Sequence, residues 1–162
     1  MNDSEMQANV KMGDILNDIA QEIAEMLGRL PDNAFLYAEV DDEGREASVF
    51  TENNDGIFCH RPSNEMFELV GELWEAADDD KKWAAMEYDV ADGKFEANFI
   101  FPEQIDPEDI SDDRRERALR KRYSDRPITY SNKPYVNFYA TKRLGGAVSN
   151  SEAIKLLKIA VS

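Results

Sequence analysis

The sequence predicts an α+β domain, in which an antiparallel sheet of about five to six strands packs against an N-terminal helix, a middle helix and C-terminal helices. Three observations indicate this class. Apolar and polar residues alternate from 95 to 101, as in a strand with one buried face. Asp92-Gly93 precedes that run and suits a hairpin turn, where a residue must accept a positive φ. Elsewhere, apolar residues recur every three or four positions, the spacing of an amphipathic helix.

The first helix is predicted to begin at Asp14, which can cap its start, and to end near Gly28 and Pro31. Its apolar residues recur at helical spacing: Ile15, Ile19, Ile23, Met26 or Leu27, and Leu30. Residues 1–13 show no such pattern, so we predict that they are disordered.

Three strands are predicted next, at residues 34–40, 45–51 and 57–61. The first two flank an acidic loop that ends in Gly44, which a hairpin favours because glycine accepts a positive φ. After them, Pro62 and Ser63 can begin a second helix.

The second helix is predicted to stop before residues 78–80, a run of three aspartates, because carboxylates are unfavourable at the negative end of a helix dipole. Residues 84–90 and 95–101 then supply the fourth and fifth strands. The two prolines Pro102 and Pro107 punctuate an acidic loop that follows.

A third helix can be capped by Asp109 or Ser111, with basic residues in its last turn as the dipole favours. Residues 135–141 alternate like a further strand, and residues 149–160 suit a closing helix. We predict a single domain over residues 1–162; the pattern leaves open whether residues 127–162 extend its core.

Charge is unevenly distributed along the chain, whose net charge is −15. Residues 1–113 carry 31 acidic and 7 basic side chains, whereas residues 114–162 carry 12 basic and 3 acidic ones. An acidic surface repels nucleic acid and anionic membranes and favours basic partners; alternatively, it only keeps the protein in solution. The basic segment 114–126 is therefore predicted to pack against the acidic body or against an acidic protein, and we expect no nucleic-acid or membrane partner.

Catalytic chemistry has little support in the sequence. Cys59 and His60 are adjacent, and neighbouring side chains of a strand point to opposite faces, so they cannot easily act as a nucleophile and its base. The sequence contains no CxxC, HExxH, calcium-loop or phosphate-loop motif. Carboxylates are so numerous that a pair resembling a glycosidase site carries no information. We predict no catalytic residue, no metal site and no cofactor, and hence a protein that is not an enzyme.

The chain is predicted to be cytoplasmic. Its single cysteine excludes an intramolecular disulfide framework and fits a reducing compartment. The N-terminus lacks the basic and apolar regions of a signal peptide, and no apolar run reaches the length of a membrane span.

Four segments carry a family resemblance: the hairpin FLYAEVDDEGREASVFTE, the helix NEMFELVGELWEA, the strand pair ending in DGKFEANFIF, and the segment DPEDISDDRRERALRKRY. Across roughly residues 15–125 they resemble the YezG-like immunity proteins, antitoxins of bacterial polymorphic and contact-dependent toxins. The resemblance implies an α+β domain that binds and inhibits a cognate toxin without catalysis. The charge adds an expectation of our own, that the toxin is basic and a nuclease, captured by electrostatic steering.

The partner-binding residues we predict are acidic residues in three clusters, with solvated turn residues as the alternative for each. The clusters are the first hairpin (Asp41, Asp42, Glu43), the run after the second helix (Asp78, Asp79, Asp80) and the acidic loop (Glu103, Asp106, Glu108, Asp109). A different hypothesis is a non-catalytic adaptor or assembly protein. It would oligomerise, as a homodimer for example, through a C-terminal helix carrying Ile154, Leu156 and Leu157.

Overall fold

A computed structural model describes residues 3–29 and 32–131. Within these residues, six strands form one sheet in the order β5-β4-β1-β2-β3-β6, and three α-helices cover its two faces. The elements are α1 (Asp3–Leu27), β1 (Ala34–Asp41), β2 (Gly44–Asn53), β3 (Gly56–His60), α2 (Asn64–Ala76), β4 (Ala85–Ala91), β5 (Lys94–Ile100), α3 (Ser111–Tyr123) and β6 (Ile128–Tyr130), with 3-10 turns at Asp79–Lys81 and Pro102–Gln104. The predicted α+β class is confirmed.

The sheet is mixed, whereas the sequence predicted an antiparallel one. Strands β1 to β5 pair antiparallel, but β6 runs parallel to β3. The sequence did not indicate β6, because three residues are too few to show an alternating pattern. The strand predicted at 135–141 and the helix predicted at 149–160 lie outside the described residues.

Helix α1 begins at Asp3, eleven residues before the predicted start at Asp14 and within the segment predicted to be disordered. Most of its side chains up to Asp14 are exposed, so this part of the helix needs no apolar spacing and left no signal in the sequence. Its early turns contact the body through Glu5, whose carboxylate lies 2.7 Å from the ammonium of Lys81.

Alternating residues of β1 supply two separate cores. Leu36 and Ala38 face α1 and α2, in the larger core. Phe35 and Tyr37 face α3, where they pack with Leu119 in the smaller core. The strand is buried on both faces, which identifies it as the centre of the fold.

Helix α2 is fixed at both ends by side chains. The hydroxyl oxygen of Ser63 accepts a hydrogen bond from the backbone N–H of Met66 at 2.8 Å, which confirms the predicted cap. At the other end, the ammonium of Lys82 donates to the carbonyls of Trp74 and Ala77 at 2.7 and 2.8 Å. A cation here satisfies the last carbonyls of the helix and its dipole, so the chain leaves α2 in a fixed direction.

Both predicted hairpin turns form, but Gly44 does not adopt the positive φ that the sequence predicted for it. Asp41 Oδ1 accepts hydrogen bonds from the N–H groups of Glu43 and Gly44 at 2.8 and 2.9 Å, which closes the β1–β2 turn. Asp92 and Gly93 have φ of 55° and 75°, as a tight β4–β5 turn requires. In residues 3–29 and 32–131, no helix has the length and apolarity needed to cross a lipid bilayer.

Candidate functional site

A large cleft lies at the end of the sheet where β1 turns into β2. It has a volume of about 1220 Å³ and is bounded by the β1–β2 turn, the end of α2, the first 3-10 turn and the loop before α3. We call it the acidic cleft, because carboxylate side chains from several of these segments line it. Fixing the chain at the exit of α2 and in the β1–β2 turn also fixes its walls.

Apolar side chains form part of the lining: Trp74, Trp83, Ile105 and Ile110. The indole N–H of Trp74 donates to the carbonyl of Trp83 at 2.9 Å, which holds the two residues together. Trp83 is 1% exposed, and its own indole nitrogen has no hydrogen-bond partner among the described residues. Ile110 is 58% exposed, so an apolar surface is open to a partner here.

The acidic cleft brings together residues of the first two predicted clusters. Asp41, Asp42 and Glu43 from the first hairpin and Asp79 from the run after α2 line it. The carboxylate of Asp41 already accepts the two hydrogen bonds that close the β1–β2 turn. In the described part of the chain, no side-chain hydrogen bond or ion pair engages the carboxylates of Asp42, Glu43 or Asp79, and all three are exposed. Three cations, Arg45, Lys82 and Arg114, line the cleft as well, but none of them forms an ion pair with these three carboxylates.

A smaller adjoining groove contains two more of the predicted residues, Asp80 and Glu103. It shares Asp79, Lys82 and Pro102 with the acidic cleft. The acidic loop after β5 thus borders the same region, although its other acidic residues do not line either space.

The remaining predicted residues line neither the acidic cleft nor the adjoining groove. Asp78 precedes the 3-10 turn as its N-cap. Asp106 Oδ1 accepts from the N–H of Glu108 at 3.0 Å. The carboxylate of Asp109 pairs with Arg117, and this hydrogen bond lowers the pKa of Asp109. Asp109 is therefore already paired inside the molecule.

Sequence reasoning missed Glu75, Trp74 and Ile110 at the acidic cleft. Glu75 lies in the last turn of α2 and its side chain is exposed. Trp74 falls within the predicted second helix, and Ile110 lies where the third helix was predicted to begin. No short-range pattern marks them, because the chain brings them to the β1–β2 turn only through tertiary packing.

The basic segment 114–126 packs against the acidic body, as one of the two sequence predictions stated. The guanidinium of Arg114 donates from Nε and Nη2 to the two oxygens of Glu39 at 2.9 and 2.7 Å. Arg122 pairs with Asp89, and its guanidinium lies 3.8 Å from the centre of the Phe35 ring. These cations are committed to internal partners, so α3 does not present the free basic face that phosphate contacts require.

Further ion pairs join the same segment to the sheet and to its own helix. They are Arg115 with Glu46, Arg120 with Glu116, Lys121 with Glu87, and Arg126 with Glu52. Three of these four pairs connect the segment to strands, so α3 neutralises a row of strand carboxylates on that face of the sheet.

The cysteine and the histidine are both held in their neutral forms near pH 7. Burial raises the pKa of the Cys59 thiol to about 11, so it stays protonated at neutral pH. Burial, followed by the charge of Arg29, lowers the pKa of His60 to about 4. The ring of His60 hydrogen-bonds the Thr51 hydroxyl at 2.7 Å, and Cys59 packs in the α3 core. Within residues 3–29 and 32–131, no group of three or more His, Cys, Asp or Glu side chains could hold a metal ion.

Comparison with known proteins gives one family match. The model of the phage capsid family matches residues 75–159, just over half of the 162 residues. The described part of this span runs from the last turn of α2 through β4, β5, α3 and β6. No curated protein matches the chain.

This match overturns the resemblance to YezG-like immunity proteins and, with it, the antitoxin function and the toxin partner. The resemblance rested on the spacing of apolar residues in a hairpin, a helix and a strand pair. Many α+β domains share such spacing, because the periods of helices and strands impose it. The assembly hypothesis stands closer to the family match.

Proposed function

The chain belongs to the phage capsid family, and from this membership we propose that it is a structural subunit that assembles with other capsid subunits. The match over residues 75–159 is the observation that carries the proposal. The proposal retains the assembly function that the sequence offered as the alternative to inhibition. Its partners are other subunits of the same kind and not a foreign toxin.

The position of the matched span in the sheet supports a role in assembly. Strands β5 and β6 lie at the two edges of the sheet, and both fall within residues 75–159. An edge strand presents backbone N–H and C=O groups that can pair with another chain. In the described part of the chain, β5 pairs only with β4, so the backbone groups of its outer edge have no strand partner there. The family span therefore supplies surfaces through which sheets of neighbouring subunits could join.

A non-enzymatic role agrees with the state of the single cysteine and the single histidine. Catalysis near neutral pH usually relies on a group whose pKa lies near the working pH. The pKa of Cys59 is raised above that range and the pKa of His60 is lowered below it. We further propose that residues 1–162 form one domain and that assembly takes place in the cytoplasm, where a single free thiol stays reduced.

The test is the association state of the purified full chain. Sedimentation velocity over a wide range of concentration, followed by negative-stain electron microscopy, should reveal discrete oligomers that grow with concentration. Circular dichroism on the same samples checks that the oligomers contain folded chains, since unfolded chains also aggregate. A folded monomer at every concentration, at low and at high salt, would overturn the proposed function.

A further inference from the structure

We propose that the acidic cleft receives residues 132–162 of a neighbouring copy of this chain, a segment that we call the basic tail. The inference rests on the proposed function, because it names the contact through which two subunits would associate. Charge, apolar surface, size and chain direction each support this occupant.

Charge complementarity is the first argument. The basic tail carries five lysines and arginines against a single glutamate. The acidic cleft offers the exposed carboxylates of Asp42, Glu43 and Asp79, which have no side-chain partner among the described residues. By contrast, the basic segment 114–126 is already paired with the sheet. The basic tail is therefore the part of this chain whose charge best suits the cleft.

Apolar surface is the second argument. Ile110 is 58% exposed at the cleft, and Trp74 is only partly buried. In the basic tail, Leu156 and Leu157 lie between Lys155 and Lys158, and Ile154 precedes Lys155. A segment that combines these residue types can cover the apolar lining while its cations meet the carboxylates. Neither a purely polar nor a purely apolar partner would satisfy both parts of the lining.

The size of the acidic cleft suits a peptide segment. Its volume of about 1220 Å³ exceeds the range of roughly 300–1,000 Å³ that is usual for small-molecule sites. The cleft is also lined by separate segments of the chain and not by one loop. Such a space can hold several consecutive residues of a partner chain.

Chain direction is the last argument. Strand β6 runs parallel to β3, and β3 runs antiparallel to β2, so β6 points towards the Gly44 end of the sheet, where the cleft lies. With a rise of about 3.3 Å per residue and strands about 4.8 Å apart, the end of β6 lies about 25 Å from that end of β1 and β2. The 31 residues beyond Ser131 can extend to about 100 Å. This length suffices for a neighbouring copy as well as for the same chain.

The experiment compares charge-reversed variants of the full chain by sedimentation velocity. The cleft variant is D42K/E43K, and the tail variant is K155E/K158E. The matched control is E68K/E72K, which makes the same change of charge as the cleft variant at exposed positions of α2. We expect the cleft and tail variants to weaken self-association at least about tenfold, and the control to leave it nearly unchanged. An equimolar mixture of cleft and tail variants should associate again, because the intact cleft of one accepts the intact tail of the other.

Zero-length carbodiimide cross-linking separates exchange between copies from folding back within one chain. Isotopically labelled and unlabelled wild-type chains are mixed before the reaction, and joined peptides are read by mass spectrometry. Links from Lys155 or Lys158 to Asp42 or Glu43 should join labelled to unlabelled peptides. Links confined to one label would overturn the inference.

The inference and the proposed function fail in different ways. If the wild-type chain self-associates but the cleft variant associates equally well, the inference is overturned and the proposed function is retained. If the mixture of cleft and tail variants does not recover, the assignment of the tail to a neighbouring cleft is also overturned. A wild-type chain that remains monomeric throughout overturns the proposed function itself.

Discussion

A buried carboxyl between α1 and α2 should make the stability of this protein depend on pH. Glu22 is 7% exposed, and its Oε1 accepts a hydrogen bond from the hydroxyl of Ser63 at 2.9 Å. Burial raises its pKa from 4.5 to about 7; Glu25 on α1 and Glu65 on α2 add to the rise, and the Ser63 hydrogen bond opposes it. The folded chain therefore holds a proton that the unfolded chain releases at lower pH.

The sign and size of the effect follow from that difference. Between pH 4.5 and 7 the folded state binds more protons at Glu22 than the unfolded state, so the free energy of unfolding falls as pH rises through this window. One pKa unit corresponds to about 1.4 kcal/mol, so the full loss above pH 7 is at most about 3 kcal/mol. Glu22→Gln removes the charge but keeps an oxygen that can accept from Ser63. The stability of the variant should exceed that of the wild type by less than about 1 kcal/mol near pH 5, rising to about 3 kcal/mol at pH 8.

Urea unfolding followed by tryptophan fluorescence measures this difference, because Trp83 is buried and Trp74 partly buried in the folded chain. The quantity to plot is the stability of the variant minus that of the wild type at each pH from 5 to 8. Glu68→Gln is the control: Glu68 and Glu22 line one groove between α1 and α2, but Glu68 is exposed, so its difference should stay flat. A Glu22→Gln difference that also stays flat would refute the argument that burial retains the proton.

Two further substitutions test the contact between β3 and the segment before β6, and the packing of α3 on the sheet. Gly56 has φ of 138°, and a Cβ there would lie 2.4 Å from the carbonyl oxygen of Pro127. Gly56→Ala should therefore lose about 1–3 kcal/mol in urea unfolding, whereas Gly44→Ala, with open space around the added carbon, should change stability by no more than about 0.5 kcal/mol. Leu119→Ala should cost about 2–5 kcal/mol, because this side chain is 1% exposed between α3 and the sheet; a smaller loss in thermal or urea unfolding would indicate that α3 is held by ion pairs alone.

Local pattern was enough to predict most of the fold. The strands β1 to β5, the cap of α2 at Ser63 and the turn at Asp92-Gly93 all arise from short-range physics, namely side-chain periodicity, capping and positive φ. Two features lacked such a signal. The first turns of α1 are exposed and show no periodicity, and β6 is fixed by its pairing with β3, which lies far away in the sequence.

The acidic cleft could be predicted only in part. Its carboxylates in the first hairpin were evident from the sequence, because a turn between two strands exposes its residues. Trp74 and Ile110 were not, since their place beside that turn depends on how α2 and the loop before α3 pack. Asp109 was predicted to bind a partner. Its carboxylate instead pairs with Arg117, which lies eight positions later on α3.

The uneven charge of the chain explains why the sequence pointed to a foreign basic partner. Counting charges treats every carboxylate as equally available, yet those of β1, β2 and β4 that face α3 pair with its arginines and lysines. The other carboxylates of the acidic body lie on other surfaces. One of these is the acidic cleft, where carboxylates without a side-chain partner in the described residues lie beside exposed apolar side chains. The lining of the cleft holds more carboxylates than cations, which are Arg45, Lys82 and Arg114. Five of the chain's lysines and arginines lie beyond Ser131, so its charge asymmetry fits association with a second copy and does not require a foreign basic protein.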